Sequence, residues 1–160
     1  LKLYFNDDDI IIKHQSGEFI LACFDAHRIT SVEIPRGVEK INLDETYKMN
    51  SRPSSLFLKY LVDLKTQQSF AQNEGDIGIV ENIGAWFEKG LKTLMDDLTM
   101  KLKFDYKNYN FEIIQKGKEA YGFDKLSDGY SSVLNIIMDL ILRMEKKRRL
   151  AYDVEGIVKA

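Results

Sequence analysis

From residue 102 to residue 113 the apolar side chains leave helical spacing and alternate with polar ones. Leu102, Phe104 and Tyr106 precede Lys107 and Asn108, and Tyr109, Phe111 and Ile113 follow. A two-residue turn at Lys107 and Asn108 pairs Tyr106 with Tyr109, Phe104 with Phe111 and Leu102 with Ile113. All these apolar side chains then share one face. A lone hairpin with an apolar face is at best marginal in water, so it must pack on other elements.

The flanking segments supply them. Phe57, Tyr60, Leu61 and Leu64 recur at helical spacing from Ser54 to about Phe70. The stretch from Asn73 to Asp76 breaks that helix. A second helix carries Ile79, Ile83, Trp86, Phe87, Leu91, Leu94, Met95 and Leu98 on one stripe. Gly78, Gly84 and Gly90 weaken its intrinsic propensity, so packing must hold it. The last helix is expected from about Gly129 to Lys147, with Val133, Ile136, Ile137, Leu140, Ile141 and Met144 inward. Nearer the N-terminus, the runs Ile10–Lys13 and Phe19–Phe24 flank a polar turn, Gln15–Glu18, and predict a hairpin. Residues 29–34 suggest a further short strand, stopped by Pro35 and Gly37. Residues 37–53 have no clear period and end in a loop, Ser51 to Ser54, that leads into a helix cap. The expectation is an α+β fold: a β-rich part over residues 1–36, and a helical lobe over 54–160 with hairpin 102–113 and a final helix 129–147.

At 160 residues the chain has the length of about one domain. Its 44% hydrophobic and 30% charged content is that of a globular chain rather than a disordered one. A net charge of −2 gives no global attraction to nucleic acid or anionic membrane. One cysteine, Cys23, excludes an internal disulfide and fits a reducing, cytoplasmic setting. No apolar run reaches the roughly 18 residues that span a bilayer, so no membrane partner is expected. The chain opens on Leu1 rather than Met and stops at Ala160, which reads as a fragment of something longer.

Residues Leu126, Ser127, Asp128, Gly129 and Tyr130 stand directly before the last apolar helix. A Ser and a Gly opening a helix can offer a hydroxyl and backbone N–H groups to a phosphate, with the positive end of the helix dipole behind them. The plainer reading is helix capping, for which Ser and Asp are favoured. The order of elements adds context: helices, a hairpin, Ser-x-Gly, a very apolar helix, then Glu155, Gly156, Ile157 and Val158 opening another apolar run.

That order and the run Leu126 to Leu134 resemble the ATPase head of the ABC superfamily, in the branch with SMC-like, OLD-like and related bacterial AAA-type ATPases. Its signature is Leu-Ser-x-Gly followed by a helix, matched here by Leu126, Ser127, Asp128 and Gly129. The likeness is close over residues 123–142, extends to 150–158, and is weak elsewhere. It implies a partial ATPase-head domain over residues 1–160. It also implies a composite ATP site in which Ser127 and the Gly129 backbone meet the γ-phosphate of ATP on an opposing subunit. Asp128 stands where the transporter motif has Gly, and Tyr130 where it has Gln. The intact protein would then use ATP and Mg2+, pair with a second ATPase subunit through ATP, and act on DNA or with a partner nuclease, in repair or phage defence.

The other half of such a site is missing. No Gly-x-x-x-x-Gly-Lys-Ser/Thr loop (Walker A) occurs: Gly117 and Lys118 are followed by Glu119, with Glu112 where the first Gly belongs. Ile136, Ile137, Met138 and Asp139 imitate a Walker B strand, but their surroundings have helical period, so Asp139 is expected to be a solvated helix residue. The fragment alone should neither bind a cofactor nor hydrolyse ATP, and no catalytic residue is assigned. The alternative is a non-enzymatic α+β interaction module in which Leu126 to Tyr130 only cap a helix.

Remaining features carry less chemistry. Phe24 to Arg28 either places Asp25, His27 and Arg28 at a ligand-facing sheet edge or forms a surface ion pair between Asp25 and Arg28; the stretch resembles one found in the same ATPase branch. His14, His27 and Cys23 lack paired metal-ligand spacing, and Asp7 to Asp9 lack that of a calcium loop. No Gly-x-Ser-x-Gly nucleophile turn is present. The aromatic hairpin is expected to pack rather than stack on bases. Lys146 to Arg149 favour a helix C-terminus, with a DNA phosphate contact as the sharper reading.

Overall fold

A computed structural model describes residues 8–25, 32–75 and 81–151. The fold is α+β: among the described residues, four helices and one antiparallel two-stranded sheet. Strand β1 (Lys101–Asp105) pairs with β2 (Asn110–Ile114), with Leu102 opposite Ile113 and Phe104 opposite Phe111. This is the register that the alternation demands. The turn is wider than expected, because residues 106–109 all lie in it. The Asp105 carboxylate accepts the backbone N–H of Lys107 and Asn108 and the Asn108 side-chain amide. That closure curls the chain before Tyr106 can pair with Tyr109. Tyr106 is left 70% exposed at the tip.

Helix α1 spans Asp8–Gln15, α2 Phe57–Glu74, α3 Glu81–Leu94 and α4 Asp128–Ala151. A 3-10 turn, Pro53–Leu56, leads directly into α2. Gly75 ends α2 with φ of 81°, a conformation in which any side chain would be strained. The core gathers Phe57, Leu58, Tyr60 and Leu61 of α2 with Phe87 and Leu91 of α3, Phe111 and Ile113 of β2, and Leu134, Met138 and Leu142 of α4. The Phe57 and Phe87 rings lie 4.7 Å apart, and Phe87 and Phe123 6.2 Å apart. A Glu88 carboxylate joins α3 to the sheet by accepting the Leu102 N–H at 3.0 Å and the Lys92 ammonium at 2.6 Å. Burial pushes that carboxyl upward, but Lys92 and the Leu102 N–H outweigh it and hold it below the usual range.

Three expectations are corrected. Ile10–Lys13 is helical, not a strand, and 19–25 is coil, so the N-terminal hairpin does not form. Asp9 lies in the first turn of α1 and Lys13 and His14 in its last, complementing the helix dipole. Gly17, with φ of 72°, then turns the chain back. Of the suggested strand 29–34, residues 29–31 lie outside the described residues and 32–34 are not a strand.

Helix α4 keeps part of the face its period suggested and adds another. Ile141 is buried and Ile137 packs against the core as expected, and Leu134, Met138 and Leu142 are buried as well. Val133, by contrast, is 43% exposed, and Ile136, Leu140 and Met144 are half-buried. The helix is apolar on two faces, so periodicity alone does not choose between them. Polar residues choose: Asn135, Asp139 and Arg143 recur every four residues and meet the 3-10 turn and the coil before it.

Asp139 is therefore buried, only 2% exposed, and not solvated. It accepts the Arg143 Nε–H at 2.5 Å and the Ser54 backbone N–H. Arg143 also donates to the carbonyls of Leu21, Tyr47, Lys48 and Ser51, at 2.8 to 3.4 Å, and lies 5.8 Å over the Tyr47 ring. Asn135 donates to the Ser54 hydroxyl at 3.3 Å. Burial raises the Asp139 pKa, with Arg143 and Ser54 pulling the other way.

Candidate functional site

Phe123 sits in a 3-10 turn, Phe123–Lys125, and is buried against Phe87. The half-buried Leu126 follows in an extended conformation, packed against the core. These two anchors hold the chain from below, and the next four residues, Ser127, Asp128, Gly129 and Tyr130, are exposed. Helix α4 begins immediately, because the Ser127 carbonyl accepts the Ser131 N–H at 2.8 Å. Ser127 thus occupies the N-cap position.

Its side chain does not act as a cap. Among the described residues, no hydrogen bond links the Ser127 hydroxyl to the first turn. Gly129 is not demanded by the fold either. Its φ lies outside the left-handed region, and a Cβ built there meets nothing within 4 Å. The helix start therefore offers an unused hydroxyl, a small residue with open space before it, and main-chain N–H groups that lack intrahelical partners. Asp128 adds a carboxylate to this first turn and already complements the dipole.

Beside Ser127 lies a groove of about 370 Å3, lined by Met95, Gln115, Lys118, Tyr121, Lys125, Leu126, Ser127 and Tyr130. A relay of side chains orders one wall. Asp97 accepts the Thr99 hydroxyl and N–H and, at 2.9 Å, the Gln115 amide. The Gln115 carbonyl oxygen in turn accepts Lys118 Nζ at 3.0 Å and the Tyr121 hydroxyl at 2.5 Å. Hydrogen bonds from Thr99 and Gln115 hold the Asp97 carboxyl below its ordinary range. Burial, with Asp97 and Tyr130 nearby, raises that of the Tyr121 phenol. Sequence reasoning met Lys118 only as part of a failed Walker A match and passed over Gln115, Tyr121 and Lys125. The available signal was a Lys-bearing turn, bracketed by Gly117 and Gly122, just ahead of Ser127.

The other sequence candidates lie elsewhere. Asp25 forms its ion pair with Arg52, while His27 and Arg28 are outside the described residues. Phe104 and Phe111 pack 5.0 Å apart with Phe111 buried, so the hairpin turns its aromatic face to the core. Lys146 reaches Glu45 at 3.5 Å, and the side chains of Lys147, Arg148 and Arg149 lie outside the described residues, as do residues 155–158. Among the described residues no cluster of three or more His, Cys, Asp or Glu is placed to hold a metal ion. No helix among them is long and apolar enough to cross a membrane.

Comparison of the chain with protein-family models, with curated proteins and with solved structures finds no match.

Proposed function

We propose that this chain is the signature-bearing part of an ABC-type ATPase head, working in the cytoplasm, in which Ser127 and Gly129 meet ATP held by the Walker A loop of a second subunit. The observation that supports it best is the state of the motif: a hydroxyl unused by the helix it precedes, and a glycine that the fold does not need. Both belong to the run Leu126 to Leu134 that carries the resemblance. On this reading the chain supplies phosphate contacts in trans, and the opposing subunit brings the lysine, the Mg2+ ligands and the water-positioning acid. Dimer closure around ATP and its release on hydrolysis then drive work on DNA or on a partner nuclease.

Ser127→Arg in the complete protein tests this. The residue is exposed, so the fold should be unaffected while the bulky cation blocks closure. The expected result is loss of ATP-driven dimerisation and of ATPase activity with an unchanged melting curve. Normal activity and dimerisation in this variant would remove the proposal.

One observation favours a non-enzymatic interaction module instead. Asp128 satisfies the helix dipole from within the chain and leaves less for a phosphate to gain. Because the Ser127 hydroxyl makes no bond to the first turn, Ser127→Ala should cost less than the roughly 1 kcal/mol of a lost cap on either reading. The module reading gains if the same substitution also leaves ATP-driven dimerisation of the complete protein unchanged.

A further inference from the structure

Residues 8–25 hold a defined path without joining the hydrophobic core. None of residues 9–25 is fully buried, and no apolar side chain among them packs against the buried cluster. Ile11 and Ile12 are 59% and 62% exposed. The segment closes on itself instead. The Lys13 carbonyl accepts the Glu18 and Phe19 N–H groups at 2.7 and 3.0 Å, and His14 Nδ1 lies 3.0 Å from the Phe19 carbonyl. Three polar ties to the body meet in one place. The Cys23 N–H donates to the Met49 carbonyl at 3.0 Å, Asp25 pairs with Arg52, and the Leu21 carbonyl accepts an Arg143 Nη1–H at 3.4 Å. Arg143 holds the same coil from the other side, through the carbonyls of Tyr47, Lys48 and Ser51. A gap of about 20 Å3 remains between segment and body there, with His14, Phe19, Leu21, Tyr47 and Arg143 on its walls. Buried apolar contact is what binds a segment to the cooperative fold, whereas surface polar ties are exchanged for water at small net cost. A segment held by such ties opens at a fraction of the global cost.

We propose that residues 8–25 form a detachable strap locked by Arg143, which opens as a unit while the hairpin and helices α2 to α4 stay folded. The anchor of the lock remains with the body, because Asp139 holds Arg143 Nε from within α4. Nη1 reaches across to the strap at Leu21. With the strap closed, Arg143 is only 6% exposed. Opening bares the Nη1 edge of its guanidinium, so the fold carries a cation that one state hides and the other presents. Neither Ser127 nor the ATPase reading enters.

Native-state hydrogen exchange of the 160-residue chain, followed by amide NMR over a series of low urea concentrations, tests this. The Cys23 N–H reports on the strap, and the Ile113 N–H, bonded to the Tyr121 carbonyl at 2.8 Å, reports on the body. Corrected for intrinsic rates, Cys23 is expected to exchange roughly a hundredfold faster than Ile113 or more, with a urea dependence well below that of global unfolding. Arg143→Lys keeps a cation beside Asp139 but gives up the planar fork that reaches several carbonyls at once. It should speed Cys23 exchange by a further factor of about ten and change that of Ile113 less. Equal protection and equal urea dependence at the two amides would make residues 8–25 part of the global unit and overturn the proposal. The parent protein decides that point even if the variant does not fold. Cys23 exchange untouched by Arg143→Lys, or both amides speeding up alike, would remove Arg143 as the lock and overturn it too.

Discussion

Two polar groups of residues on helix α4 are treated in opposite ways. Midway along, Asp139 and Arg143 are buried and bonded to each other, to the Ser54 N–H and to four main-chain carbonyls. At its start, Ser127, Asp128 and Gly129 are exposed, with a hydroxyl and a glycine that the fold leaves unused. Burying charge is costly unless it is paired and hydrogen-bonded, so the first arrangement can be read as structural. Polar groups left unsatisfied at a helix start are available to something else. The contrast separates a clamp from a candidate site on one helix.

The largest test strikes the clamp. Arg143→Met removes the cation, leaves Asp139 buried beside an apolar chain, and takes a donor away from the carbonyls of Leu21, Tyr47, Lys48 and Ser51. Removing one partner of a buried pair costs about 3–5 kcal/mol, which lowers Tm by roughly 10 °C or more in a domain of this size. Thermal and urea melts followed by circular dichroism measure it. Adding Asp139→Leu should restore part of the loss, because the orphaned carboxylate goes too. A loss below about 1 kcal/mol for Arg143→Met would mean that the pair is not a clamp, and the contrast along α4 would collapse.

The same pair marks where the sequence stops being legible. The hairpin register can be read from Leu102, Phe104, Phe111 and Ile113, because alternation is local and a one-residue slip would invert the faces. The breaks at Gly75 and before Asp128 are local as well. The inward face of α4 is not, since the helix is apolar on both Leu134–Met138–Leu142 and Val133–Ile136–Leu140. Its orientation depends on carbonyls of residues 21 and 47–51, distant in sequence, that only tertiary structure brings to Arg143. Asp139 looked solvated for the same reason. Ile10 to Ile12 looked like a strand because β-branched residues favour strands, while the charges at the two ends of α1 carried the helical signal. At the candidate site, Ser127 and Gly129 were visible as a motif, and the groove was not, because Gln115, Lys118 and Tyr121 converge through side-chain bonds.

A smaller effect concerns that groove. Asp97 is held below the ordinary carboxyl value of 3.8, first by Thr99 and then by Gln115. A depressed native pKa means that the unfolded chain binds protons more readily. Its contribution is therefore full above the unfolded value and is lost as pH falls through the native one. The window lies below pH 3.8. Asp97→Asn should flatten this part of the acid limb and broaden the Gln115 side-chain amide signals at neutral pH. An acid limb identical to that of the parent protein would show that the Asp97–Gln115 relay does not order the groove wall.

The smallest stability change carries the sharpest meaning. Gly129→Ala adds a methyl group where nothing lies within 4 Å, at a backbone angle that alanine tolerates. Stability should stay within about 0.5 kcal/mol of the parent protein, or rise slightly as the unfolded chain loses freedom. Function should respond otherwise, because a phosphate approaching the main chain at Gly129 meets that methyl first. In the complete protein, ATP-driven dimerisation should weaken with Gly129→Ala and weaken further with Gly129→Val. A loss of more than about 1 kcal/mol in the alanine variant would make the glycine structural and bring both ends of α4 under one explanation. Unchanged stability with unchanged dimerisation would leave the glycine without a role in either, and the clamp would be the only part of α4 whose chemistry is specified.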